Sequence, residues 1–85
     1  SFSLFLRYCR DQENLLPEKL TVEKVNRELI LRFLQWLEEE RNCKAATRNQ
    51  RLAAIHSFFN FLVVEEPQYI QQSQKILSIP MKKTD

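Results

Sequence analysis

Apolar positions recur at helical spacing in four segments of this chain. Phe2, Phe5, Leu6 and Cys9 follow an i, i+3, i+4, i+7 pattern, with Leu4 and Tyr8 widening the stripe. The helix they predict ends near Asn14, because Pro17 cannot continue it and biases Leu16 toward an extended conformation. No capping residue precedes a full first turn, so this helix is expected to be longer in a parent protein. Thr21 to Lys24 reads as a short capped turn, after which Asn26 caps a second helix over roughly 27–41. Its apolar face is Ile30, Phe33, Leu34 and Leu37, flanked by Leu29 and Trp36, and Asn42 is its left-handed stop. A third helix is predicted over about 46–64, with Leu52, Ile55, Phe59 and Leu62 as its stripe and Phe58 and Val63 at the edges. Asn49, Gln50, Ala53, His56, Ser57 and Asn60 share its opposite face. Pro67 suits the first position of a fourth helix reaching Ser78. Tyr69, Ile70, Ser73, Ile76 and Leu77 form its packing stripe; Gln71, Gln72, Gln74 and Lys75 are its wet side. Pro80 closes it, and residues 81–85 read as a basic linker. Leu6, Phe33, Leu34, Leu37, Leu52, Ile55, Phe59 and Leu62 are expected in one core.

Composition sharpens the fold class. The chain has no glycine, which tight hairpin turns of a small sheet protein usually require, so the expectation is an all-α, compact bundle of four main helices. Eighty-five residues suit a single domain with one core. Cys9 and Cys43 do not make a disulfide framework, and with His56 as the one further nitrogen or sulfur ligand a zinc site is not expected. They read as reduced thiols. No apolar run approaches the roughly eighteen residues of a membrane span, and no signal-peptide pattern is visible. A soluble, intracellular protein is expected, with no membrane partner.

Charge is unevenly spread. Residues 1–43 hold 7 basic and 8 acidic side chains, whereas residues 44–85 hold 6 basic and 3 acidic. Lys44, Arg48 and Arg51 open the third helix, and no acidic residue lies between Lys44 and Val64. Cations are unfavourable at a helix N-terminus, whose free N–H groups already carry partial positive charge. Two readings fit: an anion such as a phosphate backbone docks there, or a buried helix has a solvated basic start. Glu38, Glu39 and Glu40 end the second helix, either as a surface turned from a polyanion or as a solvated helix end. Arg48 and Arg51 fall on the apolar side of the helical wheel, from which they could clear the core near the helix start. Asn and Gln can pair with adenine edges, which makes Asn49 and Gln50 candidates for base contacts. The chain offers no glycine-rich phosphate loop, cofactor motif, small-molecule site or catalytic constellation, and His56 reads as a surface polar residue.

Residues 31–41, then 46–62, carry a family signature. With the short element Leu20 to Val25, the Glu66-Pro67 helix start and the tail 79–83, they resemble the N-terminal core-binding domain of tyrosine recombinases. This is the SAM-like domain of phage and mobile-element integrases. The resemblance implies residues 1–79 as that domain and 80–85 as the start of a linker to a catalytic domain. It implies a domain that clamps double-stranded DNA, helices near the major groove and cations on phosphates, alongside other recombinase protomers. Thr47 to Arg51 match the family's DNA-facing helix start, giving Lys44, Thr47, Arg48, Asn49, Gln50, Arg51, Lys82 and Lys83 as candidate DNA-binding residues. The family's catalytic arginines, histidines and tyrosine belong to the other domain, so this chain is expected not to be an enzyme, and Tyr8 and Tyr69 are packing residues. The prokaryotic cytosol or nucleoid is the implied location. The alternative is a SAM-like protein-interaction domain anchored through Trp36 or Phe61.

Overall fold

A computed structural model describes residues 2–84. They form an all-α bundle: α1 (Ser3–Gln12), α2 (Arg27–Glu39), α3 (Ala45–Glu65) and α4 (Ile70–Leu77). Short 3-10 turns at Pro17–Lys19, Val22–Lys24 and Pro67–Tyr69 join them. The Asn26 side chain accepts the Leu29 amide at 2.9 Å and caps α2, satisfying one of the donors a helix start leaves free. Asn14 and Asn42 take the left-handed conformation, φ 56° and 52°. In each case the next amide turns back onto the finished helix, Leu15 to the Cys9 carbonyl and Cys43 to that of Leu37. Asparagine tolerates this geometry best after glycine, and so ends helices in a chain that has none.

Helix α3 is the hub, packing against both α2 and α4, which also touch one another. Leu52, Ile55, Phe59 and Leu62 bury along its inner face against Leu29, Ile30, Phe33, Leu34 and Leu37 of α2 and Ile76 of α4. Ile79, beyond α4, is also in this core. Gln72, expected on the wet side of the fourth helix, is half-buried instead. Its amide donates to the carbonyls of Val22 at 2.6 Å and Val25 at 2.7 Å, stapling α4 to the α1–α2 connection. Ile70, expected in the stripe, is exposed, because α4 turns that position outward to bury Ser73 and Ile76.

The expected stripe of α1 holds at Phe5 and Cys9 and is corrected at Phe2 and Leu6, which are exposed. Leu6 is 38% exposed, and Phe5, Tyr8 and Cys9 face inward. Tyr8, expected at the edge of the stripe, takes the inward place that Leu6 was expected to fill, and ring packing favours it. Phe5 and Tyr8 lie 5.1 and 5.4 Å from Phe33 between ring centroids, and Tyr8 lies 5.2 Å from Trp36. Leucine at position 6 has no such partner and lies at the mouth of an apolar groove with Phe2, Val22 and Phe58. Burial and Glu13 raise the Tyr8 hydroxyl well above its ordinary pKa, and it donates to the Glu13 carboxylate. Burial pushes the Cys9 thiol up to about 11.

Glu13 also receives a forked pair of bonds from Arg32, at 2.8 and 3.0 Å, which ties the end of α1 to α2. The Arg32 bond first, and the Tyr8 bond after it, hold the Glu13 carboxyl below its ordinary pKa.

Two stability predictions follow from this packing. Phe59→Ala should cost on the order of 3–5 kcal/mol in urea unfolding, a large share of a small domain's stability. Because the Glu13 pKa is depressed on folding, its contribution is present above the unfolded carboxylate value and is lost as pH falls through the folded one. Glu13→Gln should therefore cost about 1 kcal/mol at pH 7, and the deficit should shrink below about pH 4. Urea unfolding of both proteins across that pH range measures it.

Candidate nucleic-acid interface

The inner face of α3 reads 48, 52, 55, 59, 62, so its first member is an arginine. Arg48 is 6% exposed. The expectation that its side chain would clear the core and reach outward is corrected: the seam that buries Leu52 and Ile55 carries Arg48 inside with them. A buried guanidinium needs compensation, and three groups supply it. Its Nη1 donates to the Pro80 carbonyl at 3.0 Å and to Asn49 Oδ1 at 3.2 Å. Its Nε lies 3.6 Å from Glu38 Oε1, an ion pair too long for a hydrogen bond, and has no hydrogen-bond partner among the described residues.

Asn49 and Lys82 complete the arrangement. The Asn49 side-chain amide donates to the Lys82 carbonyl at 2.8 Å, and the Lys82 backbone N–H donates to Asn49 Oδ1 at 2.9 Å. The side-chain amide thus pairs with the chain as a neighbouring strand would. Lys82 Nζ donates to Glu38 Oε2 at 2.8 Å. The segment after α4, read from sequence as a linker without a partner, is instead a strap laid across the start of α3. Pairing to a distant backbone has no signature in the local pattern, which is why the sequence did not reveal it.

The eight candidate residues thus converge on one end of α3 in different states. Lys44, Gln50, Lys82 and Lys83 are exposed; Thr47, Asn49 and Arg51 are half-buried; Arg48 is buried. Helix α3 has Lys44 at its N-cap position, which makes no side-chain cap, and no acidic residue in its first turn. Arg51 lines a small cleft with Leu4, Phe5 and Phe33, on the α1 side. Farther along, Gln50, Ala53, Ser57 and Asn60 are exposed as expected. His56, placed on that face by the wheel, is half-buried with Nε2 3.1 Å from the Ile76 carbonyl, because α4 covers this flank. Trp36 is half-buried in the aromatic stack with Tyr8 and Phe33, with the Arg41 guanidinium 5.8 Å above its ring. Tyr69 donates to Glu23 at 2.9 Å, and the bond raises its hydroxyl above the ordinary pKa. Among the described residues no group of acidic, histidine or cysteine side chains could hold a metal ion, and no helix is long and apolar enough to cross a membrane.

The described residues thus define a small all-α domain whose third helix starts uncapped and acid-free beside a basic strap. Residues 5–66 match the family described as phage integrase, N-terminal SAM-like domain, and the chain belongs to it. It is 48% identical over 67 residues to a Sinorhizobium fredii protein named "Putative integrase/recombinase y4rD", covering 79% of this chain and 24% of that protein. The like-named y4rC of the same organism is 35% identical over 83 residues, covering 98% of this chain and 25% of that protein. The chain thus spans about a quarter of the length of these curated relatives. No solved structure matches it significantly.

The strap yields a stability prediction. Arg48→Ala should cost about 1–3 kcal/mol in urea unfolding, because it strands the Pro80 carbonyl and removes a buried charge from Glu38. It should also speed amide exchange at Lys82. Lys44→Ala, at an exposed position, should stay within about 0.5 kcal/mol of the parent.

Proposed function

We infer that this domain is the DNA-binding module of a site-specific tyrosine recombinase, holding duplex DNA while a separate domain of the parent protein carries out strand transfer. The observation that carries the reading is the pairing of Asn49 with the Lys82 backbone, which joins two cation groups far apart in sequence at one end of α3. Lys44, Lys82, Lys83 and the half-buried Arg51 then flank a helix start whose free N–H groups favour an anion. A duplex backbone supplies phosphates for such cations, and contacts to them position the protein without reading sequence.

Sequence reading falls to the outward face of α3. Gln50 is exposed and bears the donor and acceptor that pair with an adenine edge, and Ala53 is small enough for close approach to a groove. Asn49, with both amide atoms engaged by the strap, acts in positioning. Thr47 is a phosphate contact at the helix start, and Arg48 contributes through the strap. Residues 1–79 form the module, and 80–85 lead toward the catalytic domain. Recombinase protomers bound to the same DNA are its protein partners, and the prokaryotic cytosol or nucleoid is where it acts.

Binding to duplex DNA, followed by fluorescence anisotropy, should weaken with salt with a log–log slope of roughly −3 to −4, at about 0.9 per phosphate for four cations. Lys44→Ala should flatten the slope by about one unit, and Gln50→Ala should leave it unchanged while relaxing sequence preference. Binding that ignores salt, or no binding at any salt, would overturn the reading.

A further inference from the structure

Glu38 is shared between two cations of unlike standing. Its Oε2 accepts from the ammonium of Lys82, a side chain 51% exposed, while its Oε1 stands 3.6 Å from the Nε of Arg48, whose side chain is 7% exposed. That Nε is a buried donor without a hydrogen bond among the described residues. The two contacts pull one carboxylate in two directions. Loss of the outer cation would free Glu38 to close on the inner one, where a charged hydrogen bond is still to be made. The backbone of Lys82 is held independently, through Asn49.

We propose that Glu38 is a built-in phosphate mimic that holds the Lys82 ammonium in reserve until a nucleic-acid phosphate takes its place. The inference rests on the DNA-binding reading above. When phosphate arrives, Lys82 Nζ passes from carboxylate to phosphate, and Glu38 turns fully to Arg48 Nε. Asn49 keeps the Lys82 backbone in register throughout, so the ammonium moves only by side-chain rotation. The exchange costs little, since the abandoned carboxylate gains a bond to a buried donor and the outer pair is a surface one. Glu38 therefore lowers affinity for DNA without touching it, and Asn49 is a positioning residue for the phosphate contact.

Duplex binding by Glu38→Gln, Lys82→Met and the double variant tests this, with Glu40→Gln as a control. Glu40 is exposed at the same helix end and makes no described contact with Lys82. Glu38→Gln should bind about two- to five-fold tighter than the parent, the loss of one surface pair, with an unchanged salt slope. Lys82→Met should flatten the slope by about 0.9 in the parent background. In the Lys82→Met background, Glu38→Gln should add no more than Glu40→Gln adds. An advantage of Glu38→Gln that persists without Lys82, or that merely equals the Glu40→Gln effect, would overturn the exchange while leaving DNA binding intact. A slope that steepens only in Glu38→Gln would show that Lys82 never leaves Glu38 in the parent, and would overturn it too. If neither the parent nor any variant binds duplex at low salt, the DNA-binding reading itself fails. Should Glu38→Gln disturb the fold, the slope change of surface variant Lys82→Met still decides whether Lys82 meets phosphate.

Discussion

The burial of α3 along a single seam is the constraint on which the rest of this small bundle depends. Leu52, Ile55, Phe59 and Leu62 share one face of α3, which packs against both α2 and α4. Extending that seam one turn toward the N-terminus reaches Arg48, and the geometry of a helix leaves no choice about where its side chain starts. A charge has been drawn into the first layer of the core. The structure answers with Glu38 from α2 and the Pro80 carbonyl from beyond α4, so the seam's polar end joins three parts of the chain.

This polar end is costly alone and stabilising only when complete. Desolvating a guanidinium is offset by partners in place, and removing one strands the others. The apolar end of the seam is more forgiving: Phe59 and Leu62 gain from area, which needs no particular partner. Helix α1 sits between these cases. Its hold is a set of ring contacts to Phe33 and Trp36 plus the Tyr8–Glu13–Arg32 cluster, directional enough to turn Tyr8 inward where Leu6 was expected.

The strap gives the family membership local content. The chain spans about a quarter of the length of its curated relatives, and within it Arg48 and Asn49 set the course of residues 80–82. The cations carried on that segment share the end of α3 that carries Lys44. The Asn49–Lys82 part of that hold is a pair of neutral hydrogen bonds to backbone, which salt does not screen as it screens ion pairs.

By itself the sequence determined the four helices, their caps at Asn26 and Asn42, and the central stripes of α2 and α3, because these follow from local periodicity and backbone preference. It was also enough to identify the family, through motifs in a fixed order. What it left open was decided by packing between distant segments. The inward turn of Tyr8 over Leu6, the recruitment of Gln72 to the Val22 and Val25 carbonyls, and the burial of Ile79 depend on neighbours that no helical wheel contains. The candidate site divided in the same way. Residues 44–51 were legible as a cluster, but tertiary structure alone separated exposed Lys44 and Gln50 from buried Arg48 and from Asn49, held to the Lys82 backbone. A wheel assigns direction from the helix axis; whether a side chain there meets water or another part of the chain depends on the whole fold.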